Sequence, residues 1–167
     1  IFLTTSLSML PAAGAGMALQ NMDTPLWVFQ MLAFLSGIGG GNFASSMSNI
    51  NYFFPKAQKG NALALNAGLG NLGVSVVQFV VPIVITMGLF GAMGGQGQTV
   101  SEGGQLWLQN AGFVWVPFLV VFSIAAWFGM NDLASAQASL AQQLTILKRK
   151  HNWVMSFLYI GTFGSFI

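Results

Sequence analysis

Five long apolar runs, residues 1–20, 26–54, 61–90, 111–130 and 153–167, contain no Asp, Glu, Lys, Arg or His. They are lettered A to E here. A helix crosses the ~30 Å hydrocarbon core of a bilayer with ~20 apolar residues, so A to D are each long enough to span, and E reaches 15 residues at Ile167. Charged residues make up 5% of the 167, against roughly 25% in a water-soluble domain. Too little polar surface exists to cover a soluble core. An all-α membrane protein follows, and disorder and collagen are excluded. The chain opens on Ile1 rather than Met and stops inside an apolar run, so a fragment of a longer polypeptide is expected. Ala12, Ala13 and Ala15 look like a leader cleavage site, but run A lacks the positive flank of a signal peptide.

The few charges set a topology. Lys56 and Lys59 lie between B and C, and Lys148, Arg149 and Lys150 between D and E; the alternate connections carry Asp23 and Glu102 and no base. Basic loops stay on the cytoplasmic side, so B–C and D–E face the cytosol. Trp27, Trp107, Trp115, Trp127 and Trp153 all fall near run ends, where indole favours the headgroup layer.

Punctuation refines the boundaries. Thr24 is placed to cap a helix with Pro25 at its first position, and Pro55 stops B before a short turn over 55–60. The glycine-rich C–D connection reads as a flexible loop without a ligand signature. Residues 131–150 are more polar, with Leu133, Leu140, Leu144 and Leu147 at helical spacing, Asp132 at the start and bases at the end. That pattern predicts a linker helix along the cytoplasmic interface.

Several chemistries are excluded. No titratable side chain lies within a run, so this chain has no residue for an intramembrane proton relay. No hydrolase triad can be assembled, which leaves no catalytic residue to assign. Without Cys there is no disulfide and no thiolate ligand, and His151 has no second His to share a metal. No metal site and no cofactor is expected. Gly68-Leu69-Gly70-Asn71-Leu72-Gly73 matches G-x-G-x-x-G by letter but sits inside an apolar run with no preceding strand. Lys148-Arg149-Lys150 is a topological signal rather than a nucleic-acid patch.

What remains is uncharged polarity at one depth. Phe43 is 11 residues before Phe54, Asn71 is 10 after Asn61, and Phe163 is 10 after Trp153. At 1.5 Å per residue each is roughly 15 Å deep, at the bilayer midplane. Tyr159 and Phe163 are i and i+4 and share a face. Repeat-built transporters bind substrates at this depth. Gly37 and Gly41 form G-x-x-x-G, and Gly60, Ala64, Ala67 and Asn71 a small-residue ridge, for which close helix packing is the first explanation. Asn71 is a candidate substrate ligand, because an amide in hydrocarbon must find a partner. Asn42 and Asn66 fit either a substrate contact or interhelical hydrogen bonds.

The runs Gly41-Asn42-Phe43-Ala44-Ser45-Ser46-Met47-Ser48-Asn49-Ile50, Phe53-Phe54-Pro55-Lys56 and 60–75 resemble the nitrate/nitrite porters of the major facilitator superfamily. The glycine- and asparagine-rich stretch from Gly60 to Leu72 is similar to their first nitrate signature. The likeness continues through 115–119, 127–133 and 159–167. It implies a fragment of a twelve-helix fold, about helices three to seven. Residues 1–130 would belong to the N-terminal bundle, 131–151 would form the cytoplasmic linker helix, and 152–167 would begin the C-terminal bundle. Further implied are Phe43 and Phe163 sandwiching a flat anion, Asn71 and Tyr159 hydrogen-bonding it, and Gly60, Gly68, Gly70 and Gly73 serving the signature and helix packing. The family's two anion-binding arginines belong to helices two and eight, outside this chain, and Arg149 is neither. Nitrate/nitrite exchange by alternating access in a bacterial inner membrane is the implied function, with no enzymatic step. The implied partners are nitrate, nitrite, the lipid bilayer and the remainder of the same polypeptide, in a monomer. Competing expectations are a facilitator for another small solute, nitrate/proton symport, and a non-transporting scaffold.

Overall fold

The computed structural model describes residues 1–99, 103–131, 139, 141 and 144–164. They fall into two compact units, 1–130 and 131–167. In the first unit four helical spans are long and apolar enough to cross a membrane: Phe2–Leu19, Leu26–Phe53, Lys56–Val84 and Asn110–Gly129.

The first and fourth spans are interrupted in the same way. The first consists of α1 (Phe2–Leu7) and α2 (Met9–Leu19), and the fourth of α5 (Asn110–Phe113) and α6 (Trp115–Gly129). Pro11 and Pro117 have no N–H to offer the carbonyls four residues earlier, at Leu7 and Phe113, and α1 and α5 end at those residues. Between them, α3 (Leu26–Phe53) and α4 (Lys56–Val84) are continuous.

Boundaries shift from those expected. Pro25 is the residue preceding α3 rather than its first helical one, and Thr24 does not cap α3. Its hydroxyl donates instead to the carbonyls of Ala18 and Asn21, both at 2.8 Å, closing the end of α2. Pro55, extended at φ −65° and ψ 153°, starts α4 directly, and its carbonyl accepts from Gln58 and Lys59. The expected turn over 55–60 is therefore the first turn of α4, five residues before Asn61. At its far end α4 stops at Val84, two residues past Pro82, rather than running to Phe90.

The first span is the hub. It packs against α3 on one side and against α5 and α6 on the other, while α3 also packs on α4 and α4 on α5. The crossing with the fourth span is close enough to need glycine on both sides. A Cβ on Gly112 would lie 2.5 Å from the Ala12 carbonyl oxygen, and one on Gly16 would meet the Phe113 ring. Ser6 and Ser123 share a 2.6 Å hydrogen bond, and the Phe2 and Trp127 rings sit 4.7 Å apart. No residue of α3, and only Val84 of α4, is buried.

The C–D connection is a folded cap rather than an open loop. A 3₁₀ turn (Gly91–Gly94) precedes two short antiparallel strands, β1 (Gln98–Thr99) and β2 (Gln105–Leu106), pairing Gln98 with Leu106 and Thr99 with Gln105. Buried amides hold it. Gln98 Nε2 donates to the Leu19 carbonyl at 2.8 Å and to Gln109 Oε1 at 2.9 Å, and Gln109 Nε2 donates to the Gly94 carbonyl at 2.7 Å. Asn110 Nδ2 donates to the carbonyls of Val84 and Met87 at 3.0 and 2.7 Å, adding a second donor to carbonyls that already accept from the Met87 and Leu89 amides. Glycine count alone signals flexibility; these side-chain amides supply the partners that order the backbone.

In the second unit a 3₁₀ turn (Thr145–Lys148) leads to α7 (Lys150–Gly164). The Trp153 indole donates to the Leu147 carbonyl at 2.8 Å, fixing the junction. Much of the expected linker helix, including Asp132, Leu133 and Leu140, lies outside the described residues; Leu144 and Leu147 are exposed.

Candidate functional site

Three asparagines occupy the middle stretches of α3 and α4, and the structure separates them. Asn42 donates through Nδ2 to Thr5 Oγ1 at 2.8 Å and accepts at Oδ1 from the Thr4 hydroxyl. Asn66 Nδ2 donates to Ser46 Oγ at 3.0 Å. Both amides are engaged between helices, Asn42 at both ends and Asn66 through one donor. Asn71 is exposed and its side chain has no hydrogen-bond partner among the described residues. It lies 15 residues after Lys56 and 13 before Val84, roughly 20 Å from either end, and so at the centre of α4. With α4 starting earlier than expected, Asn71 is deeper from the helix end than the ~15 Å read from Asn61.

Phe43 lies 10 residues before the end of α3, ~15 Å along the axis, with 37% of its surface exposed. The surfaces around it are small. Added Cβ atoms at Gly37, Gly40 and Gly41 on α3, and at Gly60, Gly68, Gly70 and Gly73 on α4, would meet nothing within 4 Å among the described residues. Toward the Pro55 end, α3 and α4 enclose a groove of about 590 Å³ whose lining includes Ile50, Phe54, Asn61, Leu65, Asn66 and Leu69. Phe43 and Asn71 thus belong to one unit, on neighbouring helices and on surfaces left uncovered within it.

Tyr159 and Phe163 lie on α7 in the second unit. Tyr159 is half exposed. Thr4, Thr5 and Ser46 were not singled out from the sequence. The signal that could have found them is the hydroxyl itself, since an amide at this depth needs a polar partner and hydroxyls are the only candidates on an apolar helix.

Chemically, the mid-span parts of α3 and α4 around Phe43 and Asn71 offer a neutral amide and an aromatic face with no charged side chain, the lysines of α4 standing at its start. Such a surface can bind an ion only if charge is supplied from elsewhere or the ion is weakly hydrated.

No family profile matches the chain. Individual relatives do. The chain is 53% identical over 165 residues to the nitrate/nitrite transporter NarU of Salmonella typhimurium, covering 99% of this chain and 36% of that protein. It is 51% identical over 164 residues to the nitrate/nitrite transporter NarU of Escherichia coli, covering 98% and 36%. It is 47% identical over 169 residues to the probable nitrate/nitrite antiporter NarK2 of Thermus thermophilus, covering 98% and 38%. The chain therefore spans little more than a third of the length of the curated relatives it matches. Together with four membrane-length helices, these identities make the chain a multi-pass membrane homologue of the nitrate/nitrite porters over the portion it shares with them.

Proposed function

We propose that the protein carrying this chain exchanges nitrate and nitrite across a bacterial inner membrane by alternating access. The observation that carries this is the contrast among three mid-span asparagines: two are tied into interhelical hydrogen bonds, and Asn71 keeps both donors free at the centre of its helix. The names of the relatives supply the anion.

Nitrate is planar, monovalent and weakly hydrated. In this reading Phe43 holds one of its faces and Asn71 donates to an oxygen, which offsets part of the hydration it loses, and Tyr159 and Phe163 are the further contacts that the resemblance to the porters implies. Gly60, Gly68, Gly70 and Gly73 keep the α4 surface low enough for a facing helix or the anion to approach. Two arginines outside this chain supply the positive charge. An arginine cannot readily shed its proton, so an empty site retains charge and changes state poorly until an anion neutralises it. That property favours exchange over net uptake.

Counterflow through the full-length protein in proteoliposomes tests the reading. Nitrate uptake is expected to require internal nitrite or nitrate. Uptake indifferent to internal anion but driven by a proton gradient would replace exchange with symport, and flux of an unrelated solute without nitrate competition would remove the anion assignment.

A further inference from the structure

We propose that Asn42 and Asn66 are positioning residues for Phe43: their amides tie α3 to two neighbouring helices, through Asn42 one residue before that ring and Ser46 three residues after it, and so fix where it points. The inference rests on the reading of Phe43 as an anion contact. Asn42 immediately precedes Phe43 and commits both ends of its amide to the first span, donating to Thr5 and accepting from Thr4. One turn further along α3, Asn66 of α4 donates to Ser46 Oγ at 3.0 Å, and the Ser46 hydroxyl donates to the carbonyl of Phe43 itself at 2.9 Å. A continuous hydrogen-bonded path therefore runs from α4 to the Phe43 backbone.

This stretch of α3 has little else to hold its rotation. Gly37, Gly40 and Gly41 offer no side chains to interlock, and Cβ atoms there would touch nothing among the described residues. At Gly39 an added Cβ would meet the Ser8 side chain, with its Oγ 2.9 Å away. A smooth glycine-rich helix can slide and turn against its neighbours, and directional bonds prevent it. With side chains reaching ~5–6 Å from the axis, a 10° turn carries the ring by about 1 Å, an error large enough to affect a positioned contact severely. The two amides are not spare substrate ligands; they are the clamp that lets a small, smooth helix present one aromatic ring reproducibly.

The test uses the full-length transporter in proteoliposomes, with Asn42→Ala, Asn66→Ala and Thr5→Val made singly and in a Phe43→Ala background. Each single change is expected to raise the nitrate concentration for half-maximal flux by about five- to tenfold, with maximal flux altered less than about twofold, and to add nothing once Phe43→Ala is present. A second readout needs no nitrate. In an otherwise cysteine-free protein carrying Phe43→Cys, adding Asn42→Ala is expected to change the rate of modification by a water-soluble methanethiosulfonate by about threefold or more. An unchanged modification rate accompanied only by a lower melting temperature would overturn the proposal, as would equal losses of affinity with and without Phe43→Ala. If Phe43→Ala leaves nitrate affinity unchanged while the modification rate still shifts, the clamp stands and the anion-contact reading fails. Thr5→Val removes a single bond and keeps the Asn42 amide, so it decides the same outcomes if Asn42→Ala does not fold.

Discussion

Gly112 and Gly16 meet backbone to backbone where the fourth span crosses the first: a Cβ on Gly112 would stand 2.7 Å from the Gly16 amide nitrogen. Neither backbone can yield as a flexible side chain could. The crossing that joins the hub span to α5 therefore depends on two absent methyl groups. Gly112→Ala is expected to destabilise the full-length protein by about 1–3 kcal/mol through overpacking. Gly104→Ala, on the outer connection with open space around it, should stay within about 0.5 kcal/mol. Thermal melting in detergent, followed by the monodisperse fraction, checks both.

Asn71 is expected to behave as a ligand and not as a packing residue. Its side chain is exposed and makes no hydrogen bond among the described residues, so Asn71→Ala should leave the melting temperature unchanged. Loss of a hydrogen bond to an anion, worth about 1.5–3 kcal/mol, should weaken nitrate binding about tenfold or more. Tryptophan quenching by nitrate and proteoliposome flux would both register it. A lower melting temperature with unaltered affinity would make Asn71 structural.

The cap formed by the C–D connection should come apart when its amides are removed. Gln109→Leu strands the Gln96 carbonyl and leaves that of Gly94 only the 3.5 Å contact from Gln20, while Asn110→Leu leaves the carbonyls of Val84 and Met87 with their backbone donors alone. Each change is expected to cost about 1–3 kcal/mol, because buried hydrogen bonds are lost and an apolar side chain is set against polar backbone. Limited proteolysis between Gly91 and Gln105, faster in the variants than in the parent protein, is the measurement.

The bases predict a topology with the B–C connection in the cytosol. Gln58→Cys, beside Lys56 and Lys59, should be labelled by an impermeant maleimide only after the membrane is opened, and Gly103→Cys should be labelled in intact cells. Reversed accessibility would show that basic connections do not mark the cytoplasmic side of this protein.

The spans were legible in the sequence because hydrophobicity over ~20 residues is a local property, and so is proline's missing donor, which ends α1 at Leu7 and α5 at Phe113. The same local reading misjudged the C–D connection: its glycines are visible in one dimension, but the acceptors that Gln98, Gln109 and Asn110 reach are supplied by distant segments. It also drew attention to Gly37 and Gly41 as a packing motif, whereas the tight crossing lies at Gly16 and Gly112. Sequence alone determined that asparagines stand deep in α3 and α4. Only tertiary structure decided which of them are spent, because that depends on which faces meet: Asn42 finds Thr4 across 38 residues, and Ser6 finds Ser123 across 117. Polarity is carried by each residue, but satisfaction of that polarity belongs to the packing, and of Asn42, Asn66 and Asn71 it is Asn71 that the described packing leaves without a partner.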